Sequence, residues 1–385
     1  MKTQLLALAF MLYLLPLLAQ ETKQIQHLNG QSVSTVALQK RLAHLVDSAK
    51  LAGLQVAIVD HHKLVFASSF GYQDLENQKS LNDSTVMYAA SLTKPVSAYI
   101  FLRLVDRGIF NLDKPIHFYL KKPIAQYEKW KDLGEDTPAF NRITPRMLLA
   151  HSAGLPVLRQ LYGDKTSLIA KPGERFYYSN EGLNLLGFMI EEYTGKPLEV
   201  IAREEVFGPL QMSHTSMVWE KPFESNFSYA YFKDGKKYGS ERRQSSRAAG
   251  SMSTTATDYA HFVMSLMTQT GLSKTSFRQM LSPQISVTSK RGFGVLKDSL
   301  THENDVIKLA WGLGIGLFQS PYGKAFFHTG HGEANQNYAV AFPEKGIAVI
   351  LLSNSENFES VGPQIVRACI GDSHSPFRWL GYLDH

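Results

Sequence analysis

The sequence predicts an α+β fold, an α/β sandwich in which an antiparallel sheet from the N- and C-terminal segments is flanked by helices and carries an inserted, mainly α-helical region. Residues 54–60 and 64–69 are rich in apolar and β-branched residues, and the polar run 61–63 joins them, which predicts an antiparallel hairpin. Helical spacing and long loops dominate from 85 to about 270, and short β-like runs return after 312. Strands at both ends with helices between them predict one shared sheet.

The other elements are predicted in chain order. Helical spacing of apolar residues covers 37–50, strand-like composition covers 338–342 and 347–352, and a closing helix is indicated at 363–369. We therefore predict one domain of two parts, an α/β sandwich subdomain from 36–84 and 290–385 and a mainly helical subdomain from 85–289. A functional pocket is expected at their junction.

The N-terminus has the pattern of a secretory signal peptide at residues 1–19, followed by a linker at 20–35. A positive start at Met1-Lys2 precedes the apolar stretch 5–15 and a small-residue site at 17–20. The apolar stretch is short for a membrane span, which favours cleavage over retention as an anchor. We expect a periplasmic or secreted protein. Its single cysteine, Cys369, excludes an intrachain disulfide.

Composition indicates a globular chain whose positive charge is spread thinly. The formal net charge is +6, in short clusters such as Lys121-Lys122 and Arg242-Arg243 that we interpret as solvated surface. A basic stripe with interleaved aromatic residues is missing, which argues against nucleic acid as a partner. We expect a small-molecule or peptide substrate, no cofactor, and no stable membrane insertion after signal cleavage. The oligomeric state is not encoded in any pattern that we recognise.

Ser91-Leu92-Thr93-Lys94 is the most informative motif for chemistry. Residues at i and i+3 share a helix face, so the Lys94 amine can reach the Ser91 hydroxyl. A serine hydroxyl is a poor nucleophile until a neighbouring group accepts its proton. By itself the motif is also typical of a helix cap followed by a solvated lysine.

Two later motifs add functional groups. Tyr178-Ser179-Asn180 lies in a turn-rich run before an apolar helical segment, where a hydroxyl and an amide can be held in place for proton transfer and substrate hydrogen bonds. His328-Thr329-Gly330 precedes two strand-like runs, and its glycine allows a substrate backbone to approach an edge strand closely.

In this order, the three motifs resemble those of the serine β-lactamases and penicillin-binding proteins, and within them the class C β-lactamase-like serine hydrolases. The stretch Leu148–Leu155 and the segments near Gly195, Gly250 and Gly346 are similar to the same group, so the resemblance covers nearly the whole chain after Val36. It implies the β-lactamase/DD-peptidase fold, in which one catalytic domain holds its active site between the two subdomains.

The resemblance also implies residue roles. Ser91 would form an acyl-enzyme on an amide or ester carbonyl, with Lys94 and Tyr178 in reach of its hydroxyl; which of the two takes the proton stays open. Backbone N–H groups of Ser91 and His331 would hold the oxyanion. Asn180 would orient the substrate, and Tyr178 would serve as base when water cleaves the acyl-enzyme. The substrate-binding set is Asn180, His328, Thr329 and Gly330.

His328 departs from the lysine that is usual in true β-lactamases. A histidine with an ordinary pKa near 6.5 is only partly charged at neutral pH. We therefore expect weaker recognition of a β-lactam carboxylate, improving as pH falls toward about 6. This favours a D-peptidase or esterase over an efficient β-lactamase.

Other interpretations are weaker. His61-His62 and the pair His328 and His331 are expected to point apart, so no metal site is predicted. Gly312-x-Gly314-x-Gly316 lacks the flanking elements of a dinucleotide loop and is better explained by tight backbone packing. His151 and Ser152 are expected to anchor a loop. The alternative function is a non-catalytic binder of peptidoglycan fragments or another ligand, which would have no need of a nucleophile with two bases.

Overall fold

A large antiparallel sheet assembled from both ends of the chain organises the protein. The computed structural model describes residues 23–382, so the predicted signal peptide at 1–19 lies outside the described residues. The strands within the described part are β1 Gln24–Gln26, β2 Ser32–Ser34, β3 Gly53–Asp60, β4 Lys63–Asp74, β5 Lys79–Ser80, β6 Met87–Tyr88, β7 Ala230–Tyr231, β8 Lys237–Gly239, β9 Ser253–Thr254, β10 Ile285–Ser286, β11 Ala310–Trp311, β12 Gly316–Ser320, β13 Gly323–His331, β14 Gln336–Phe342 and β15 Ile347–Ser353.

The helices lie mainly between the two groups of strands. They are α1 Thr35–Ser48, α2 Thr93–Asp106, α3 Thr137–Phe140, α4 Pro145–Leu149, α5 Asn180–Thr194, α6 Leu198–Ala202, α7 Ala256–Met267, α8 Lys274–Met280, α9 Gly362–Ile370 and α10 Phe377–Leu380. No helix among residues 23–382 combines the length and the hydropathy that crossing a bilayer requires.

The main sheet has nine strands in the order β10-β11-β12-β13-β14-β15-β3-β4-β5, and its neighbours are antiparallel. The C-terminal strand β15 pairs with the N-terminal strand β3, with Ile350 opposite Ala57. The fold class predicted from the sequence is therefore confirmed, because the two ends of the chain complete one sheet.

Both faces of this sheet are covered, which explains why β3 is buried along its whole length. Side chains alternate across a strand, so Ala57 and Val59 pack into the core beneath the helical region, whereas Val56 and Ile58 pack into a second core with α1 and α9. The largely apolar sequence of β3, which is interrupted by Gln55 and ends at Asp60, follows from this two-sided burial.

The structure differs from the sequence expectation in two segments. Residues expected to form a linker at 20–35 include β1 and β2, which pair as a small antiparallel hairpin with buried Ile25. The sheet also takes β10 from the segment assigned to the helical subdomain. Short strands such as these carry too few residues for a periodic signal, and their pairing depends on partners distant in sequence.

Candidate active site

Ser91 lies in a 3-10 turn, Ala90–Leu92, that runs directly into α2. Ala90 has a φ of 48°, a left-handed conformation that a non-glycine residue rarely adopts. The Thr93 hydroxyl holds the turn, because it donates to the Ala90 carbonyl at 2.6 Å and accepts from the Met252 amide at 3.1 Å. Strained backbone of this kind persists where the surrounding structure fixes it, and it often accompanies a functional side chain.

Lys94 is completely buried and its amine points at the serine. Its Nζ donates to Ser91 Oγ at 2.8 Å and to the Ala249 carbonyl at 2.7 Å, and it lies 4.8 Å from the centroid of the Tyr178 ring. Among residues 23–382, no carboxylate lies within ion-pair distance of this amine. Burial therefore holds the pKa of Lys94 well below its usual range. A neutral amine in contact with a hydroxyl can accept its proton.

The loop that carries Tyr178 is fixed by hydrogen bonds at the start of α5. Ser179 caps the helix, since its hydroxyl accepts from the Gly182 amide at 2.8 Å and donates to the Pro156 carbonyl at 2.7 Å. The Ser179 amide donates to Nδ1 of His151 at 3.1 Å, and the His151 carbonyl accepts from the Tyr177 amide at 2.7 Å. His151 thus anchors the loop, in agreement with the sequence interpretation.

Tyr178 is half-buried, but its hydroxyl is covered. No atom of residues 23–382 meets the geometry of a hydrogen bond with that hydroxyl. Burial raises the pKa of Tyr178 far above its ordinary value, and the nearby Ser91 hydroxyl opposes the rise. The tyrosine thus stays protonated at neutral pH. Burial raises the pKa of Tyr178, whereas it lowers the pKa of Lys94.

The strand β13 approaches the serine turn closely at Gly330. A Cβ at Gly330 would lie 2.4 Å from the Ala89 carbonyl oxygen, so only glycine fits. The Asn337 side chain on β14 also donates to the Tyr88 carbonyl at 3.1 Å. These two contacts fix β13 and β14 against the segment just before Ser91. Gly314 packs in the same way, since its Cβ would lie 3.1 Å from the Lys94 carbonyl oxygen, which agrees with the predicted tight packing of this glycine-rich segment.

His328 does not match the expectation of a partly charged histidine. Its side chain is only 2% exposed, and Nδ1 donates to the Thr329 carbonyl at 2.6 Å. Burial is the main cause that lowers the pKa of His328 to about 3, and a proton on the nearby Lys94 amine acts in the same direction. The ring is therefore neutral throughout the physiological range, and the expectation that it gains charge toward pH 6 is wrong. Nε2 is left as a buried acceptor without a partner among the described residues.

The depressed pKa of His328 has a consequence for stability. The unfolded chain binds this proton near pH 6.5 and the folded chain only near 3, so stability falls as pH falls through that window. The cost is ~2 kcal/mol on going from pH 7.5 to pH 5. His328→Asn keeps a donor for Thr329 and should lose that much less free energy of unfolding over this interval, measured by urea denaturation. His44→Asn, at an exposed position, should behave like wild type; an unaltered pH slope in His328→Asn would contradict the assignment.

Ser91, Asn180 and His331 line one cavity of about 470 Å³. The Asn180 side-chain oxygen has no hydrogen-bond partner within the described part of the chain. The His331 ring is engaged by Glu359, so His331 can serve a substrate through its backbone at the end of β13. His328, Thr329 and Gly330 are buried and are not among the residues that line this cavity. The oxyanion and substrate-binding roles remain predictions.

Sequence analysis missed two contributions to the cavity. Arg243, interpreted as solvated surface, lines it, stands over the Tyr88 ring at 5.6 Å and pairs with Glu241 at 2.9 Å. Ala249 supplies the carbonyl that receives Lys94. The family similarity of the segment near Gly250 could have indicated the importance of the neighbouring Ala249. The two-residue basic cluster Arg242-Arg243 gives no indication of which arginine faces the cavity.

The other histidines in the described part of the chain are not arranged for a metal. His61 and His62 form the tight turn between β3 and β4, both with positive φ. Within residues 23–382, no group of three or more histidine, cysteine, aspartate or glutamate side chains could hold a metal ion.

Comparison with known proteins gives a consistent family match. A family model described as Beta-lactamase matches residues 38–367. Protein flp from Staphylococcus aureus (strain N315) is 27% identical over 197 residues, which cover 46% of this chain and 37% of that protein. An uncharacterised Mycobacterium tuberculosis protein is 27% identical over 202 residues, covering 46% of this chain and 50% of its own length. The chain thus spans half or less of these curated relatives.

Two solved structures share the fold. The octameric penicillin-binding protein homologue from Pyrococcus abyssi superposes with a TM-score of 0.71 at 21% identity, covering 90% of this chain and 80% of its own. The D-alanine carboxypeptidase AmpC from Burkholderia cenocepacia superposes with a TM-score of 0.66 at 17% identity, covering 90% and 98%. At these identities the likeness concerns architecture.

Proposed function

Since this chain belongs to the beta-lactamase family, we propose that it is a serine hydrolase that cleaves amide or ester carbonyls through an acyl-enzyme on Ser91. The observation that carries the proposal is the direct contact between the buried Lys94 amine and the Ser91 hydroxyl at 2.8 Å. Burying an amine without an acidic partner lowers the stability of the fold, and a role as proton acceptor for Ser91 explains why Lys94 is placed there. We also propose export, on the strength of the leader pattern at 1–19.

Opposite pKa shifts support a choice between the proton-transfer roles that the sequence left open. Lys94 is driven toward its neutral form and Tyr178 is held in its protonated form by burial. Titratable neighbours whose pKa values are pushed apart supply the base and the acid. Lys94 is therefore the base and Tyr178 the acid, and the raised pKa of Tyr178 also argues against its expected role as base in deacylation.

The reaction proceeds in two balanced steps. In acylation, Ser91 Oγ bonds to the carbonyl carbon and its proton passes to Lys94, while the bond to the leaving oxygen or nitrogen breaks and Tyr178 protonates that atom. The proton on Lys94 then returns to Tyr178. In deacylation, water adds to the acyl carbon and gives a proton to Lys94, which returns it to the departing Ser91 oxygen.

Neutral His328 supports a D-peptidase or esterase over an efficient β-lactamase. Where β-lactamases hold a lysine cation for the substrate carboxylate, this chain has a buried uncharged ring. Loss of a fixed cation weakens capture of a carboxylate beside the scissile bond. The alternative, a non-catalytic binder on the same fold, leaves the Ser91–Lys94 contact without a purpose.

Covalent labelling followed by a substrate panel tests the proposal. Intact mass should rise by one adduct after treatment with a fluorophosphonate, and peptide mapping should place the adduct on Ser91. Phenyl acetate or D-alanyl peptides should then be hydrolysed with a higher kcat/KM than nitrocefin. Absence of both an adduct and turnover would instead support the binder, and efficient nitrocefin hydrolysis would contradict the preference for peptides or esters.

A further inference from the structure

A second cavity, of about 510 Å³, is lined by Tyr178. It shares Leu158 with the cavity that contains Ser91, so the two cavities are neighbours. Its volume lies in the range of small-molecule binding sites. The walls come from two segments, one before α5 that ends at Tyr178 and one at 289–298.

The walls of this second cavity are apolar although they face solvent. Leu161 is 68% exposed and Val295 is 95% exposed, with Ile169 and Phe293 beside them. Contiguous exposed apolar side chains are uncommon on soluble domains and mark binding surfaces. Here the surface leads to the catalytic tyrosine, since the Phe293 ring packs edge-on against the Tyr178 ring at 5.0 Å.

Charge in the second cavity is already neutralised. Among the described residues that line it, Lys297 is the one cation, and it is paired with Asp298. Arg175 lies 3.8 Å from the same carboxylate. The cavity thus offers no unpaired cation to a carboxylate. The cavity around Ser91 is different, because Arg243, Glu241 and Asn180 line it.

The position of the proton donor decides which part of the substrate enters. Tyr178 protonates the leaving atom in the proposed reaction, so the leaving group departs on the side that Tyr178 lines. We infer that the apolar cavity receives the leaving group, and that the preferred substrates are esters or amides with a bulky, uncharged hydrocarbon alcohol or amine and a polar acyl part. The inference rests on the proposed function and names the substrate class of the same site.

A series of 4-alkylphenyl acetates tests this assignment. Alkyl substituents scarcely change the acidity of the phenol, so the series varies the apolar surface at nearly constant chemical reactivity. Each buried methylene contributes up to about fourfold, so kcat/KM should rise at least ~10-fold from the 4-methyl to the 4-hexyl ester. Lengthening the acyl chain from phenyl acetate to phenyl octanoate should give no such gain. Equal gains in both series would overturn the assignment.

Two matched leucine variants locate the effect. Leu161 lines the cavity and Leu300 does not, yet their exposures are 68% and 67%. Leu161→Asp should lower kcat/KM for the 4-hexyl ester at least ~5-fold more than kcat/KM for phenyl acetate, because a carboxylate penalises the larger apolar leaving group more. Leu300→Asp should change neither. The same loss in both variants, or in neither, would overturn the inference.

Binding of the product separates this inference from the proposed function. 4-Hexylphenol should bind Ser91→Ala protein in calorimetry, and Leu161→Asp should weaken that binding. Hydrolysis of phenyl acetate without any dependence on tail length would overturn the inference and leave the proposed function standing. Unlabelled Ser91 and no hydrolysis of phenyl acetate, with 4-hexylphenol still bound, would overturn the proposed function and the leaving-group assignment together.

Discussion

Ser91→Ala is expected to abolish covalent labelling and to lower kcat/KM for every substrate by at least ~10⁵-fold, because the residue that forms the acyl bond is lost. Folding should be unaffected, since alanine fits the same partly exposed position and the Lys94 amine keeps its bond to the Ala249 carbonyl. Intact mass, initial rates and thermal unfolding measure the three quantities.

Ser152→Ala is the matched control for that variant. Ser152 is a serine next to a histidine, but it is buried in the loop that His151 anchors. Among residues 23–382, its hydroxyl donates only to the Met147 carbonyl, at a long 3.5 Å. This variant should be labelled and should turn over substrate like wild type. An adduct of normal stoichiometry on Ser91→Ala would place the nucleophile elsewhere.

Lys94→Met should lower kcat/KM by roughly three to four decades, at the upper end of the effect of losing a general base. Methionine fills a similar volume and removes a buried amine that has no acidic partner among residues 23–382, so thermal stability should stay the same or rise. Because Lys94 acts on Ser91 before the leaving group departs, the loss should be similar for phenyl acetate and p-nitrophenyl acetate.

Tyr178→Phe supplies the contrast. It keeps the ring against Phe293 and removes the hydroxyl, so kcat/KM for phenyl acetate, whose more basic leaving group gains more from protonation, should fall by two to four decades. p-Nitrophenolate departs without a proton, and p-nitrophenyl acetate should lose much less. If instead Lys94→Met shows the strong dependence on leaving group and Tyr178→Phe does not, the roles of base and acid are exchanged.

Much of the architecture could be predicted from local pattern. The hairpin of β3 and β4, the helix α1 and the strands β14 and β15 follow from apolar periodicity and a two-residue turn at His61-His62. The short strands β6 and β9 could not be predicted. They have two residues each and exist because Met87 pairs with Thr254, far along the chain.

The cavities were beyond sequence reasoning for the same reason. Arg243 and Leu161 belong to segments whose sequences are typical of a solvated surface. Their contribution to a cavity depends on which wall each segment forms in the folded chain. His328 was misjudged because an ordinary pKa assumes water around the ring. In the folded chain the Trp311 and His328 ring centroids are 5.5 Å apart, and the His328 ring has almost no exposed surface.

The sequence by itself determined the family, the fold class and the pairing of Ser91 with Lys94, because a nucleophile and a base three residues apart on one helix meet through local geometry alone. Only the tertiary structure decided the direction in which the pKa values of Lys94, Tyr178 and His328 move and the apolar character of the cavity beside Tyr178. Protonation depends on desolvation, and desolvation is imposed by residues such as Ala249 and Trp311 that reach the site only when the whole chain is folded.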